Sequence, residues 1–287
     1  MGLFKILILL LGLLFLAIAG LLIFWRLASS DELSVSHRDY LSAKLPASFS
    51  FKICQLGDLH NHSLTYVSTD LRYALQSEKP EAVVFTGDMI DKHTTERDFS
   101  HLDELLSSLG SIPIYFVIGN HERNAPQKLR ERCQSLFLSH GARDLDSARL
   151  DLGNGLVFTG IRDPGEGKEF GIHFGEKPGD VPSQLARIGP PDKSKVNLIL
   201  AHRPRYAPLS EAEGYDLQLS GHTHGGQVTL KGGAPFNAPR NPYISGFYQV
   251  KGLSLYVSRG LGMSYHLPFR YHCPAELSVI TIRGTAG

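Results

Sequence analysis

Four apolar runs in this chain each lead into a short polar motif, and a weaker fifth run does the same. Phe51-Lys-Ile-Cys-Gln-Leu56 leads into Asp58-Leu-His60, Ala82-Val-Val-Phe85 into Gly87-Asp88, and Ile114-Tyr-Phe-Val-Ile118 into Gly119-Asn120-His121-Glu122. Val196-Asn-Leu-Ile-Leu200 leads into Ala201-His202, and Asp216-Leu-Gln-Leu219 into Gly221-His222-Thr223-His224. Short apolar runs bounded by turn residues read as buried strands. Polar side chains just past the carboxyl ends of strands are where an open α/β sheet presents a ligand site. The pattern confines the chain to an α/β fold with five site-bearing loops.

The segments between the runs agree. Leu71 and Leu75 mark a helix over 69–77. Phe99, Leu102, Leu105, Leu106 and Leu109 mark a second, stopped by Gly110; Leu129, Cys133, Leu136 and Phe137 mark a third. Strand, helix, strand at this spacing predicts right-handed βαβ units. In the second half, Leu156-Val-Phe-Thr159 precedes a Gly-rich charged loop over 163–180. After Val228, apolar patches at Gly246–Val250, Leu253–Ser258 and Leu277–Ile282 alternate with turns and predict hairpins. The expected architecture is α/β, two packed mixed sheets in one domain, flanked by helices.

The amino-terminal stretch differs in kind. From Ile6 to Trp25 no residue is charged, and Lys5 and Arg26 close the run. About 20 apolar residues in a helix match the hydrocarbon core of a bilayer. A signal peptide is the competing reading, but its apolar stretch is shorter and Ala28-Ser-Ser is a poor cleavage site. The expected organisation is a transmembrane anchor over 1–27, a tether over 28–50 and a catalytic domain over 51–287. Arg26, Arg38 and Lys44 after the span lean towards a cytoplasmic domain on the inner membrane. Three widely spaced cysteines, Cys54, Cys133 and Cys273, predict free thiols and no disulfide framework. With 29 basic against 28 acidic residues and no basic run, no nucleic-acid partner is expected.

Aspartate with histidine suits divalent ions such as Mn²⁺, Fe²⁺ or Zn²⁺ and excludes an all-thiolate site. The ordered set D-x-H, G-D, G-N-H-E, a lone H and G-H-x-H resembles the calcineurin-like metallophosphoesterases from Phe51 to the carboxyl end. Within them it is similar to a membrane-associated bacterial branch, through Gly221–Gln227 (GHTHGGQ) and Ser258–Gly262 (SRGLG). That branch includes broad phosphodiesterases and hydrolases of UDP-2,3-diacylglucosamine in lipid A synthesis. The resemblance implies a four-layer fold and a two-ion centre. One ion would be held by Asp58, His60, Asp88 and His224, the other by Asp88, Asn120, His202 and His222, with Asp88 as the bridge. Two such cations hold a shared water, acidify it, and stabilise an in-line displacement at phosphorus without a phosphoenzyme.

His121 is the candidate to protonate or stabilise the leaving oxygen, the alternatives being another ligand or a packing histidine. Glu122 beside it is a candidate to orient its ring. His62 faces substrate or is an ordinary loop residue, and Arg259 is a candidate phosphate clamp. Asp91 and Asp163 are either acceptors behind the ligands or turn residues. His93, His101, His140, His173, His266 and His272 read as structural or exposed. Tyr265, Leu267, Pro268, Phe269 and Tyr271 form either an apolar edge for an acyl chain or membrane, or ordinary packing. The expected substrate is a phosphodiester or pyrophosphate, with a lipid-linked one in view because of the anchor. A general phosphodiesterase, a phosphoprotein phosphatase and a catalytically silent metal-binding scaffold remain as alternatives.

Overall fold

The computed structural model describes residues 2–28, 32–60, 64–165, 180–230, 235, 242–264, 267 and 269–285. Along the chain, helix α1 (Gly2–Ala28) is followed by strands β1 (Leu33–Ser42) and β2 (Ser50–Leu56), helix α2 (Leu64–Glu78) and strand β3 (Ala82–Phe85). Then come α3 (Glu96–Ser108), β4 (Ile114–Phe116), α4 (Asn120–Asn124), α5 (Gln127–Ser139), β5 (Arg143–Asp144), β6 (Ala148–Asp151) and β7 (Leu156–Ile161). The remainder is α6 (Val181–Ile188), β8 (Val196–Ala201), α7 (Ala207–Glu213), β9 (Leu217–Ser220), β10 (Gly246–Val250), β11 (Leu253–Val257) and β12 (Ala275–Gly284).

The strands form two six-stranded sheets, in the orders β1-β12-β2-β3-β4-β5 and β10-β11-β9-β8-β7-β6. Both are mixed. β2, β3 and β4 run parallel, as do β7, β8, β9 and β11, while β12 is antiparallel to β2 and β10 to β11. Successive side chains on a strand point to opposite faces, and the buried runs serve two layers at once. Ile53, Val84, Leu198, Leu200 and Ile280 fill the space between the sheets with Val117 and Phe158. Cys54, Val83, Phe85 and Val279 face outward and pack against α2, α3 and α5 through Leu71, Leu75, Phe99, Leu102 and Phe137. Ile199, Leu255 and Val257 meet Leu185 and Ala207 on the far side. Helix, sheet, sheet, helix is the expected layering.

The helices begin and end for local reasons. Thr95 and Asp98 form a capping box at α3, with the Thr95 N–H donating to Asp98 Oδ2 at 2.7 Å. Gly110, at φ +59°, lets the chain turn away after it. The cysteines are free and buried, as expected. Helix α1 is apolar, and its segment Phe4–Leu21 has mean hydropathy 2.7 with none of it buried in the protein, long and apolar enough to cross a membrane.

The expected tether over 28–50 is corrected. Leu33–Ser42 is the edge strand β1, parallel to β12 in continuous register from Leu33↔Ala275 to Ser42↔Gly284. Its Leu33 packs on the outer core and its Tyr40 on the inner one, while Ser36 Oγ donates to Glu276 at 2.5 Å. Leu45 is buried in the same inner layer. Polar and charged outward residues suit an exposed edge and erase the alternation that signals a strand. Residues 33–42 thus share a sheet with the strands after Phe51. A fragment beginning at Phe51 would leave β12 as a long unpaired edge. We expect it to aggregate and to melt several degrees below a fragment beginning at Glu32, read by light scattering and thermal denaturation; equal behaviour of the two would count against β1 as part of the domain.

Candidate metal centre

Each motif lies on the loop that leaves the carboxyl end of its strand. Asp58 and His60 follow β2, Asp88 follows β3, Asn120 and His121 open α4 after β4, His202 follows β8, and His222 and His224 follow β9. The loops are woven together by their backbones. The Asp58 N–H donates to Gly87 O at 2.9 Å, Leu59 N–H to Asp88 O at 2.8 Å, and Gly221 N–H to His202 O at 3.0 Å. Asp58, His60, Asp88, His222 and His224 all adopt positive φ, between 43° and 73°. Such conformations cost of order 1–3 kcal/mol each in a non-glycine residue and cluster at functional sites. Glycines allow the approach. A Cβ on Gly119 would collide with the Asp88 carboxylate, and one on Gly87 would lie 2.7 Å from Gly119 Cα.

The side chains converge. His60 Nε2 and His224 Nε2 are 3.0 Å apart. His202 Nε2 lies 3.0 Å from Asn120 Oδ1, 3.1 Å from Asp88 Oδ2 and 3.2 Å from His222 Nδ1. Asp88 Oδ2 is 3.6 Å from His60 Nε2, so it stands between the two groups. Ligand atoms of Asp58, His60 and His224 lie within 4.8 Å of one another, as do those of Asp88, His202 and His222. All seven expected ligands are thus in one place. The His121 ring meets that of His60 edge-on, with centroids 4.4 Å apart, and its backbone N–H donates to Asp88 Oδ1 at 2.8 Å.

The donor set fits divalent cations. His202 Nδ1 faces Thr86 O at 2.8 Å and His224 Nδ1 faces Gly262 O at 3.4 Å. A carbonyl can only accept, so each Nδ1 is the donor and each Nε2 is turned inward. Burial holds His60 down to about 3, and holds His222 and His224 well below the usual imidazole range, so their lone pairs are available. Burial pushes the Asp58 carboxyl up to about 7; His202 opposes this and Asp88 adds to it. Asp88 itself is held well below the carboxylate range, because the imidazoles of His202 and His121 outweigh its burial. Burial would lower His202, but Asp88 overrides it and holds that imidazole at about 10. In the metal-free chain one proton on His202 thus supplies the positive charge that a cation would bring.

The residues around the ligands revise several expectations. Glu122 does not orient His121. It is fully buried, and its carboxylate accepts the N–H groups of Asp88 (3.0 Å), Met89, Ile90 (3.0 Å) and Gly119 (2.9 Å), tying the β3 loop to the β4 loop. Burial and the Asp88 carboxylate push Glu122 up to about 7, against N–H donors that favour its ionised form. Asp163 is buried and does both: Oδ1 accepts the Gly165 N–H at 2.8 Å across a turn, and Oδ2 accepts from Arg203 Nε at 2.8 Å, beside the ligand His202. Asp91 is also buried, with Oδ1 accepting the His93 N–H at 2.7 Å.

Arg259 is engaged by Glu276, its backbone N–H at 2.8 Å and its Nε at 3.3 Å from Oε2. His140 pairs with Asp103 at 2.6 Å, and His272 is exposed. In the tail, Leu267, Phe269 and Tyr271 are half-buried. Gln227, last residue of GHTHGGQ, binds Leu267 O at 2.5 Å, Phe269 O at 3.1 Å and the Ser264 N–H at 2.7 Å. His62, His173, Tyr265, His266 and Pro268 lie outside the described residues. Sequence reasoning missed Arg270 and Arg203, and gave Gln227 no role beyond its place in GHTHGGQ.

A family model described as calcineurin-like phosphoesterase matches residues 51–226. The chain belongs to that family. The uncharacterized metallophosphoesterase YkuE of Bacillus subtilis is 30% identical over 271 residues, covering 85% of this chain and 83% of that protein. Phosphodiesterase YaeI of Escherichia coli K12 is 27% identical over 241 residues, covering 81% and 82%. A Bos taurus protein named transmembrane protein with metallophosphoesterase domain is 26% identical over 260 residues; the match spans 84% of this chain but 55% of that longer one. Among solved structures, TT1561 of Thermus thermophilus superposes with TM-score 0.45 at 13% identity, covering 74% of this chain and 91% of that one. As a calcineurin-like phosphoesterase, the protein is a metal-dependent hydrolase of phosphate esters, and its clustered donors are those that a pair of divalent ions needs.

Two measurements probe this geometry. Replacing Glu122 by Gln leaves about half of its N–H donors without an acceptor, at roughly 1–3 kcal/mol for each buried group. We expect E122Q to lose about 2–6 kcal/mol of stability on that scale in denaturant titrations; an unchanged midpoint would refute the cage. A ligand imidazole must be neutral, and His202 titrates at about 10 without metal, so it is protonated at pH 7.5. Loading the centre should therefore release about one proton at that pH, and apparent affinity should rise with pH up to about 10. Calorimetric Mn²⁺ titrations in two buffers of different ionisation enthalpy count that proton, and a count of zero would contradict the charge assigned to His202.

Proposed function

We propose that this chain is a membrane-anchored phosphoesterase in which Asp58, His60, Asp88 and His224 hold one divalent ion and Asp88, Asn120, His202 and His222 hold the other. The observation that supports the reading is Asp88 Oδ2, which lies 3.6 Å from His60 Nε2 and 3.1 Å from His202 Nε2, between the two groups of donors. Mn²⁺ is the favoured ion, with Fe²⁺ or Zn²⁺ as alternatives for this oxygen and nitrogen set. Two such ions would supply Lewis acidity at phosphorus and an acidified water as nucleophile.

The chain's own residues divide the remaining work. Asp88 shares its charge between the two halves. Asn120 is neutral and keeps negative charge low where an anionic phosphate must approach. His121 is half-buried, next to Asp88, and is the group to protonate the leaving oxygen. Arg259 stays a candidate phosphate clamp: Glu276 meets its side chain at Nε, at 3.3 Å, and the two terminal amino groups are the ones a phosphate would use.

The favoured substrate is a phosphodiester or pyrophosphate carried by a lipid, UDP-2,3-diacylglucosamine among them. Two things support this: the apolar helix α1, and a relative named for a transmembrane protein. A relative named phosphodiesterase supports the bond type. The domain boundaries follow as an anchor over α1 and a catalytic domain from about residue 32, with the cytoplasmic side of the inner membrane favoured for the domain.

The test is hydrolysis by the full chain in detergent of a chromogenic phosphodiester, a phosphomonoester and a UDP-sugar lipid, each with Mn²⁺, Fe²⁺ or Zn²⁺. We expect chelator-sensitive turnover that is abolished in Asp88→Ala, which removes the carboxylate shared by both ions. In His121→Ala, kcat should fall roughly 10²–10⁴-fold with metal content retained. Chelator-resistant turnover, or full activity in Asp88→Ala, would end the proposal.

A further inference from the structure

Leu267, Phe269 and Tyr271 are expected to form an apolar edge or ordinary packing, yet among the described residues of 264–273 the most buried large side chain is a cation. Arg270 is 2% exposed, and none of its hydrogen bonds among the described residues goes to a carboxylate. Its guanidinium is spent on backbone carbonyls. Nε donates to Gly262 O at 3.0 Å, and Nη2 donates to the same oxygen, to Arg259 O at 2.8 Å and to Gly260 O at 3.2 Å. Nη1 reaches Cys273 O at 3.3 Å and His224 O at 3.5 Å.

All of those carbonyls except that of Cys273 belong to the two segments that seat one half of the centre. The turn Arg259-Gly260-Leu261-Gly262 lies against the Asp58 loop: Leu261 N–H donates to Gly57 O at 3.1 Å and Gly262 N–H to Asp58 O at 2.6 Å. A Cβ on Gly260 would lie 2.5 Å from the Asp58 Cβ. Gly262 O, which Arg270 holds, is also the acceptor facing His224 Nδ1. That contact fixes which His224 nitrogen is left for a ligand, the kind of outer hydrogen bond that sets ligand orientation and affinity. His202 and His222 receive no hydrogen bond from Arg270; His202 is oriented instead by Thr86 O.

We propose that Arg270 is a positioning residue chiefly for one of the two ions: it fixes the backbone that seats Asp58 and His224, and it reaches the His202–His222 half only through the Asp58 carboxylate, which accepts the His222 N–H at 2.9 Å. The proposal rests on the two-ion reading above. A five-donor planar fork is needed because the carbonyls come from three segments at once, those of 259–262, His224 and Cys273, and a lysine cannot span them.

The test is Mn²⁺ titration of the full chain in detergent, followed by electron paramagnetic resonance, for the wild type, Arg270→Met and Arg270→Lys. The wild type should bind two ions with a spin-coupled dinuclear spectrum. In Arg270→Met one affinity should fall about 10–100-fold and the other stay within about twofold, so that one equivalent gives a six-line mononuclear spectrum. His222→Ala should empty the opposite half, and the double variant should bind neither ion. Arg270→Lys should behave as Arg270→Met does. Equal weakening of both sites, or two unchanged affinities, overturns the role of Arg270 while leaving the two-ion centre intact. If neither variant folds, judged by circular dichroism, Arg270 belongs to the fold alone and the proposal falls. Wild-type protein that does not bind two ions sinks the earlier reading instead.

Discussion

The crowding of unprotonated donors around Asp88 is the constraint to which the rest of the structure answers. Carboxylate, amide and imidazole lone pairs within about 3 Å of one another repel, and burial removes the water that would screen them. Neutral imidazoles at His60, His222 and His224 lower the total charge but not the lone-pair conflict. Cations resolve it directly. Without them the protein falls back on a proton at His202. Folding alone would not select such a cluster, because its left-handed ligand residues and buried carboxylates all cost stability.

What holds the cluster open is backbone hydrogen bonding by charged side chains outside it. Glu122 gathers N–H groups from the β3 and β4 loops, and Arg270 gathers carbonyls from the loops after β9 and β11. One is an anion that collects donors, the other a cation that collects acceptors. Each stands behind a different side of the centre. The Arg203–Asp163 pair does a related job beside His202 by neutralising a buried charge next to a ligand. Sites on strand ends need such braces, because a loop that carries a ligand has lost the ladder that would otherwise fix it.

The strands that carry ligands were legible because they are largely buried and read as short, mostly apolar runs; β3, buried at all of its positions, matches the expected span to the residue. The ligands were legible because glycine and histidine at fixed offsets leave a pattern. β1 was hidden for the opposite reason: it is an edge strand, polar outward, and its partner β12 lies about 240 residues away in sequence. β5, at two residues, has no pattern to show. Arg270 and Glu122 were illegible or misread because their roles depend on which backbone groups surround them in space, and side-chain type alone does not report that. Glu122 beside His121 suggested a ring partner, but α4 turns its carboxylate back towards Gly119 and the β3 loop.

The edge strand also changes what an anchor would do. Between Ala28 and Leu33 the chain can extend no further than about 18 Å, at about 3.6 Å per residue. A tether of the expected length would have let the domain swing free of a bilayer. With β1 locked into the sheet over ten residues, a membrane-spanning α1 would hold the sheet edge within reach of lipid headgroups. That edge is wired to the site. Ser36 on β1 and Tyr256 on β11 both donate to Glu276 Oε1, at 2.5 and 2.8 Å, and Glu276 Oε2 takes the Arg259 N–H at 2.8 Å. Arg259 begins the turn that lies against Asp58. The position of β1 and the seating of one half of the centre therefore share a single buried carboxylate.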